Sequence, residues 1–377
     1  MTTPNRTFTL TLTNPTGGAT LGTSTSATIT IPGVTVPTET GRRFAAGAGA
    51  GVSPQVVVYD AVTGSKVYTL SPFAPDFTGG TTVATGDLTG DGVDDVVVGT
   101  GIGGAPRVVV YDGASKAVIA DFFAYEASFR GGVQVATGDV NGDGFADLLL
   151  GSGVGGGPRV RVLNGLGVAT AAPGALGDQT TQGAVTLADF FAYESTFRGG
   201  VQVASGEYNG DGNDDVVAGS GLGGGPRIRI LNGLGLLTIP AAAAADPVQQ
   251  GSITLADYFA FEDTFRNGVN VASGDVNADG LVDVVAGPGA GGAPLVRPFS
   301  GRSGTALGSG FFAYDQTLRG GVRVATADLG ANGVSEILTG SGAGGPSAVR
   351  VFTAAGGSAA ADLTPFPADF TGGVFVG

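Results

Sequence analysis

Cysteine, histidine and tryptophan are all missing from this 377-residue sequence. Without cysteine the chain can form neither disulfides nor thiolate metal sites. Without histidine it can build neither a Ser-His-Asp triad nor a histidine-ligated zinc site. Any catalysis would therefore depend on carboxylates, lysine, tyrosine or a hard cation, which makes an enzyme a less favoured expectation.

Basic residues are also scarce, with 18 Lys and Arg against 32 Asp and Glu and a net charge of −14. A nucleic-acid partner is not expected, because phosphate binding requires a positive surface. No apolar run reaches the roughly 18 residues of a membrane helix, so no membrane span is expected. The first ten residues, MTTPNRTFTL, have no apolar signal core, and any secretion signal is expected outside this sequence.

Glycine is abundant instead, at 71 residues, and it marks an internal repeat. The segment DFFAYEASFRGG (121–132) recurs at 189–200, 257–268 and 310–321, with looser copies at 71–80 and 364–373. The base period is about 52 residues, and two units are about 16 residues longer. Each unit has four short apolar runs bounded by glycine, for example VQVAT, DLLLGS, PRVRVLN and TLADFFAY. A period near 50 with four strands predicts an all-β propeller.

The two ends of the repeat array complement one another. The final GGVFVG (372–377) matches only the first strand of a unit, whereas RRFAAGAGAG (42–51) matches the second strand onward. Pairing the last strand with the first three would complete a blade and remove open sheet edges. The sequence therefore predicts a six-bladed β-propeller over residues 41–377, closed by its C-terminal strand.

Residues 1–34 do not share the repeat and read as a β-hairpin, with Phe8, Leu10 and Leu12 on one face. An isolated hairpin is at best marginally stable. We therefore expect it either to belong to a larger domain of a longer protein or to be completed by a like subunit. Residues 35–40, within PGVTVPTET, read as a linker.

GDVNGDGFAD (138–147) has relatives at the same place in three other units. Oxygen-bearing side chains at positions 1, 3 and 5, glycine at 6 and a main-chain carbonyl at 7 are the features of a calcium loop of the EF-hand kind. An EF-hand closes with glutamate at position 12, whereas here the aspartate at position 9 must close the site. The predicted ligands, with the carbonyl residue fourth in each set, are Asp87, Thr89, Asp91, Val93 and Asp95; Asp139, Asn141, Asp143, Phe145 and Asp147; Glu207, Asn209, Asp211, Asn213 and Asp215; and Asp275, Asn277, Asp279, Leu281 and Asp283.

Two further copies of the loop are degraded. ADLGANGVSE (327–336) keeps Asp328, Asn332 and Glu336 but has glycine at position 3, so a weak or empty fifth site is expected. The sixth copy falls at the chain ends, where Arg42 and Arg43 stand instead. About four calcium ions are therefore expected, with magnesium less suited because it prefers a rigid octahedron.

The D-x-N-x-D-G-x-x-D loops, four strands per unit and the GxGGGPR turns resemble FG-GAP/VCBS-type propeller repeats, as in the head of integrin α subunits. TLTNPTGGATLG (11–22) followed by ATITI (27–31) resembles part of a Calx-β domain. The resemblance implies an extracellular or cell-surface protein in which calcium stiffens a propeller used for adhesion or ligand binding. Some relatives are lectins or accompany polysaccharide-degrading enzymes.

The face opposite the calcium loops is a possible ligand surface, since two kinds of turn place arginines there. A ring of them would suit anionic sugars or carboxylate-bearing partners. The alternative is structural, with each arginine of the FRGG turns paired to the acid four residues before it, as in Glu126 and Arg130. Tyr125, Tyr193 and Tyr314 are expected between blades. The candidate arginines are Arg107, Arg159, Arg227, Arg130, Arg198, Arg266 and Arg319.

Four functions remain open from the sequence. The main expectation is a non-enzymatic, calcium-binding propeller that binds an extracellular protein or glycan or acts as a structural module. The alternatives are a lectin-like module, a surface or filament subunit that assembles through the hairpin, and a polysaccharide lyase or hydrolase.

Overall fold

The computed structural model describes residues 6–31, 41–239 and 249–377. The chain divides into two compact units, Met1–Thr40 and Gly41–Gly377. Within the described ranges, no helix is long and apolar enough to cross a membrane.

The first unit contains the predicted hairpin, in which β1 (Arg6–Thr11) pairs antiparallel with β2 (Ser26–Ile31). Phe8 lies opposite Ile29, and both side chains are exposed to solvent. The hairpin is thus confirmed, while its relation to a Calx-β sandwich and its pairing with a like subunit stay predictions. The predicted linker, 35–40, lies outside the described residues.

The second unit is a ring of six antiparallel sheets, which confirms the predicted six-bladed β-propeller. First strands of successive blades, such as β10 and β14, contact one another. The strands are β3 (Arg43–Ala48), β4 (Val56–Asp60), β5 (Lys66–Leu70), β6 (Thr81–Gly86), β7 (Asp95–Thr100), β8 (Arg107–Tyr111), β9 (Val118–Phe123), β10 (Val133–Gly138), β11 (Asp147–Ser152), β12 (Arg159–Leu163), β13 (Thr186–Phe191), β14 (Val201–Gly206), β15 (Asp215–Ser220), β16 (Arg227–Leu231), β17 (Thr254–Phe259), β18 (Val269–Gly274), β19 (Asp283–Pro288), β20 (Leu295–Phe299), β21 (Phe311–Phe312), β22 (Val322–Ala327), β23 (Glu336–Ser341), β24 (Val349–Phe352) and β25 (Val374–Val376).

One blade joins the two ends of the array, as predicted. The C-terminal strand β25 pairs antiparallel with β3, placing Val374 opposite Ala48 and Val376 opposite Ala46. The blade that precedes this closure, β22 to β24, has three strands, and two isolated bridges, Val349 to Leu363 and Phe352 to Ser358, stand where a fourth would be.

The middle strands are apolar on both faces because each blade is covered by a neighbour on either side. All six residues of β11, DLLLGS, are buried. Its glycine has a specific role, since a Cβ on Gly151 would lie 2.5 Å from the carbonyl oxygen of Val201 in the next blade. Every blade has a glycine in the same register and with the same kind of contact, namely Gly47, Gly99, Gly151, Gly219, Gly287 and Gly340. Glycine at this position lets successive blades approach closely.

Tyrosines also connect the blades, as expected from the sequence. The Tyr125 hydroxyl donates to the carbonyl oxygens of Leu150 (2.5 Å) and Arg159 (3.0 Å) in the following blade. Tyr193 and Tyr314 make the equivalent bonds and are likewise buried.

The two long insertions begin with short helices, α1 (Gly165–Ala169) and α2 (Gly233–Thr238), and the second ends in a 3-10 turn, Gln249–Ile253. Val168 and Leu176 of the first insertion are buried in the core beside the preceding blade. The insertions are therefore partly packed against the propeller rather than wholly surface loops.

Candidate metal loops and polar face

The four predicted calcium loops connect the first and second strands of four blades. In the loop from Asp139 to Asp147, the carboxylate of Asp139 accepts hydrogen bonds from the amides of Gly142 (2.8 Å), Asp143 (3.1 Å) and Gly144 (2.8 Å). These bonds wrap the loop around the Asp139 side chain. Gly142 and Gly144 have φ of 73° and 85°, the left-handed region that glycine adopts at least cost.

The next ligand candidates are held in the same way. The Asn141 side-chain oxygen accepts from the amide of Asp143 (2.9 Å), and Asp143 accepts from the amide of Phe145 (3.0 Å). Side-chain oxygens at positions 1, 3 and 5 are thus fixed by the loop's own backbone.

The other three loops repeat this arrangement at position 1. Asp87 accepts from the amides at positions 4 and 6, at 2.6 and 2.9 Å. Glu207 accepts from Gly210 and Gly212, and Asp275 accepts from Ala278 and Gly280. Since the same bonds recur in four units, they follow from the motif rather than from one local environment.

The closing aspartates have a different environment, since Asp95, Asp147, Asp215 and Asp283 are fully buried at the start of the second strands. Asp147 accepts hydrogen bonds from the amides of Val140 (3.0 Å), Asn141 (3.3 Å) and Gly165 (3.0 Å). Burial raises the pKa of Asp147 to about 7 and the pKa values of the other three to about 6.

The donor set fits a hard cation, because each loop offers carboxylate oxygens together with an amide or, at Thr89, a hydroxyl oxygen on alternate residues. A carboxylate has about four lone-pair positions, so Asp147 keeps room for a cation beside its three amide donors. In the described ranges, however, no three acidic side chains already form a metal cluster. Metal binding by these residues and by the carbonyls of Val93, Phe145, Asn213 and Leu281 therefore stays a prediction.

The degraded fifth loop has a positive charge beside it. Asp328 accepts from the amides of Asn332 (3.0 Å) and Gly333 (2.8 Å), as position 1 does elsewhere. Arg42 lies 3.4 Å from the same carboxylate. Glu336, at the closing position, accepts from the amide of Leu329 at 2.8 Å. A guanidinium thus partly neutralises the loop for which a weak or empty site is expected.

Neighbouring loops are bonded to one another, which sequence reasoning missed. The amide at position 8 donates to the main-chain oxygen at position 1 of the preceding loop, from Ala146 to Asp87 (2.9 Å) and from Asp214 to Asp139 (2.7 Å). Ser335 donates to Asp275 in the same way, at 2.7 Å. The contact forms because neighbouring blades of the ring bring these loops together. The residue type at position 8 differs from loop to loop, so the sequence does not predict it.

The insertions share the face of the loops, as strand order predicts. Asn164 caps α1 and also donates from its side chain to Asp143 (2.9 Å). Asn232 makes the same contact with Asp211 (2.9 Å). In the sequence, the repeated NGLG at the start of both insertions is the feature that could have indicated a shared role for these asparagines. Residues 240–248 of the second insertion lie outside the described ranges.

On the opposite face, the GxGGGPR-turn arginines form bidentate pairs with aspartates. Arg107 is paired with Asp121 at 2.7 and 2.6 Å. The same two-bond geometry links Arg159 to Asp189, and Arg227 to Asp257. Each pair joins the third and fourth strands of one blade, so these guanidinium groups are already engaged.

The proposed local pairing within the FRGG turns is wrong. Arg130 donates to the carbonyls of Ala127 (2.6 Å) and Phe129 (2.8 Å), and Glu126 instead lies 3.7 Å from Arg159. Arg198, Arg266 and Arg319 likewise donate to carbonyls of their own turns. A spacing of four residues brings side chains together on a helix, and this segment is a turn.

A second set of arginines, which the sequence reading did not single out, donates across the interfaces between blades. Arg161 and Arg229 are buried there, and Arg297 and Arg350 are half-buried. Arg161 is only 2% exposed and donates to the carbonyl of Ala124 at 2.8 Å. Arg229, Arg297 and Arg350 make the same bond to Ala192, Ala260 and Ala313. In PRVRV the two arginines are two residues apart and therefore lie on the same face of the strand, where both contact Asp189.

Comparison with known proteins agrees with this geometry. The model of the FG-GAP-like repeat family matches residues 87–150, which include two of the four loops. The chain is a β-propeller with an FG-GAP-like repeat at residues 87–150. Integrin alpha-V of Gallus gallus is 27% identical over 176 residues, which are 43% of this chain and 16% of that protein. The FG-GAP propeller thus aligns with a small part of the integrin chain.

Solved structures resemble the FG-GAP propeller in fold alone. One is a nidogen/laminin complex, with a TM-score of 0.51 and 7% identity over 89% of this chain and 98% of that chain. Another is a protein of unknown function from Bacteroides caccae, with a TM-score of 0.49 and 10% identity over the same shares of the two chains.

Proposed function

We propose that this FG-GAP propeller is a non-enzymatic binding module of a secreted or cell-surface protein and that four of its loops bind Ca²⁺. The observation that carries the proposal is the set of four in-phase loops whose backbone amides hold oxygen-bearing side chains in the same arrangement. A cation would offset the repulsion among three acidic groups in each loop. Its role is to keep the loops and the blades they join in place.

The absence of histidine and cysteine from the sequence favours a binding module over a hydrolase or lyase. Its acids recur with the repeat, so they serve the blades in general, whereas a catalytic centre requires a unique constellation. The resemblance to a segment of integrin alpha-V supports adhesion or ligand binding outside the cell, with a protein or glycan as partner.

Calcium titration of chelator-treated protein tests the metal loops. We expect about four sites by calorimetry and a higher melting temperature in Ca²⁺ than in chelator. At free Ca²⁺ about 100-fold above Kd, each independent site stabilises the fold by about 2.7 kcal/mol. Equal melting temperatures for protein of verified metal content would contradict the proposal.

Single-loop variants sharpen this test. Asp143→Asn and Asp279→Asn should each remove or weaken one site, because a charged ligand is lost. Asp112→Asn is the matched control, since Asp112 lies in a turn of the same face but outside the loops and accepts a backbone hydrogen bond from Ser115. An unchanged stoichiometry and affinity in both loop variants would exclude these loops as the calcium sites.

A further inference from the structure

A central cavity lies on the propeller axis, far from the strand ends that carry the metal loops. It encloses about 740 Å³, within the ordinary range for small-molecule sites. Ile102, Val154 and Leu222 form an apolar mouth on the face of the GxGGGPR turns, and all three are partly exposed. The polar neck below consists of the second residue of each first strand, namely Thr82, Gln134, Gln202, Asn270, Arg323 and Phe375.

The neck is where the repeats differ most visibly from one another. The residue after it in each first strand is valine in all six blades, as in Val135 and Val324. Structural roles recur from blade to blade, as the tyrosines and strand glycines show. The six neck residues are one arginine, three amides, one threonine and one phenylalanine, so their side chains do not repeat from blade to blade. Such variation is expected of residues that bind a ligand.

Arg323 is the decisive residue of the neck. Its guanidinium donates to the carbonyl of Ser341 (2.9 Å) and lies 3.9 Å from the centre of the Phe375 ring. Five N–H groups are available, so donors remain for a ligand. Burial lowers the pKa of Arg323 to about 10, and the group stays a cation at neutral pH.

Arg323 differs from the arginines of the GxGGGPR turns because no carboxylate balances it. Arg107, Arg159 and Arg227 have aspartate partners. For Arg323, no acidic side chain of the described residues lies within the 4.0 Å of an ion pair. Asp76 lines the cavity without pairing to it. Arg323 is half-buried and lines the cavity, so a ligand anion could accept charge-assisted hydrogen bonds from a cation that lacks a counter-charge.

The neighbouring amides can take neutral polar groups. Among the described residues, neither Gln134 nor Gln202 makes a side-chain hydrogen bond, although both line the cavity. Asn270 donates to the carbonyl of Val322 (2.7 Å), which leaves its side-chain oxygen as an acceptor. Each glutamine can both donate to and accept from a hydroxyl group.

We propose that the central cavity binds a small carboxylate that carries several hydroxyl groups, with a hexuronic acid as the ligand class. The carboxylate would accept hydrogen bonds from the free N–H groups of Arg323. The hydroxyl groups would form hydrogen bonds with the side-chain amides of Gln134, Gln202 and Asn270. An aspartate or glutamate side chain from a partner protein would satisfy the arginine but leave the amides without partners. This site shares no residue with the metal loops, so uronate binding can be tested independently of calcium binding.

Calorimetric titration of the full chain with sodium glucuronate and sodium galacturonate tests the site. Glucose serves as the neutral control and N-acetyl-aspartate as the peptide-like acid. We expect saturable binding of at least one uronate and weaker or undetectable binding of both controls. Arg323→Gln should weaken uronate binding at least about ten-fold, since it removes a charged hydrogen-bond donor. Arg302→Gln, on an exposed turn that does not line the cavity, should leave the affinity unchanged.

Several outcomes would overturn the proposal: no uronate binding by the folded wild-type chain, equal binding of glucose, preference for N-acetyl-aspartate, or undiminished binding by Arg323→Gln. Circular dichroism would establish that this variant is folded. If it is not, the double variant Gln134→Leu, Gln202→Leu replaces it, because neither side chain bonds to the protein. Unchanged uronate affinity in that variant would equally exclude the neck as the site.

Discussion

At the residue scale, the fourth position of the proposed calcium loops shows how backbone conformation limits which residue can stand there. Gly90, Gly142 and Gly210 have φ between 73° and 82°, and Ala278 adopts 66° at the same position. An alanine in this left-handed region costs roughly 1 kcal/mol relative to glycine. The fourth loop therefore carries a strain that the other three lack.

Exchanging these residues should change stability in opposite directions. Ala278→Gly is expected to stabilise the propeller and Gly210→Ala to destabilise it, each by about 1 kcal/mol. A Cβ on Gly210 would meet no atom within 4 Å, so the effect comes from the backbone alone. Urea unfolding in chelator measures both. Shifts of the same sign would show that φ at this position does not control the loop.

The conformation of the candidate metal loops could be predicted from the local sequence, because the residues of the motif hydrogen-bond to one another. Asp139, Asn141 and Asp143 bond to amides no more than five residues away. Gly151 and Arg161 could not be assigned this way, since their partners, Val201 and Ala124, belong to other blades. Only the arrangement of blades in space gives those residues a role.

At the element scale, the turn that leads from one blade to the next is fixed by an aromatic residue. Tyr125, Tyr193 and Tyr314 donate across the blade interface, whereas Phe261 takes the same place in its unit without a hydroxyl. Phe261 is also buried, at 8% exposure. The sequence predicted this contact correctly because an aromatic residue recurs in phase with the repeat.

Adding and removing the hydroxyl tests how much the bond contributes. Tyr125→Phe should destabilise the propeller by about 1–2 kcal/mol, because two buried carbonyl oxygens lose a donor. Phe261→Tyr should be neutral or stabilising by up to about 1 kcal/mol if its hydroxyl reaches the equivalent carbonyls of Ala286 and Leu295. Thermal melting of both variants, compared with wild type, provides the measurement. Destabilisation by Phe261→Tyr would mean that this interface lacks room for an oxygen.

The same turn shows where residue spacing misled. Glu126 and Arg130 are four apart, a spacing that juxtaposes side chains only on a helix. Here the backbone reverses, so Arg130 donates to two nearby carbonyls and Glu126 reaches toward Arg159 of the next blade. Local spacing is informative only after the local conformation is known.

At the scale of the whole molecule, closure of the ring depends on a three-residue strand. Val374 and Val376 are buried between β3 and the neighbouring blades. Removing residues 374–377 should destabilise the propeller by about 1.5–3 kcal/mol for each valine. Scanning calorimetry should show a lower melting temperature. An unchanged melting temperature would mean that the propeller is equally stable without the C-terminal strand β25.

Deletion of residues 1–40 is the matched control. The hairpin forms a separate compact unit, so its removal should leave the melting temperature of the propeller unchanged. Light scattering of the same truncated chain tests the predicted assembly through the hairpin, since identical sizes with and without it would exclude that role.

The closing blade also determines how the propeller responds to tension. The amide of Ala45 bonds to Gly377 at 2.6 Å, and the amide of Gly377 bonds back to Ala45 at 3.2 Å, so both ends of the ring lie side by side in one antiparallel pair. A pull on the two ends would load these bonds first and the pair of Ala46 and Val376 next. Strands β3 and β25 would separate by breaking one pair of hydrogen bonds after another, without sliding along each other. Under tension the pairing of β25 with β3 would therefore break before the other five blades were stretched.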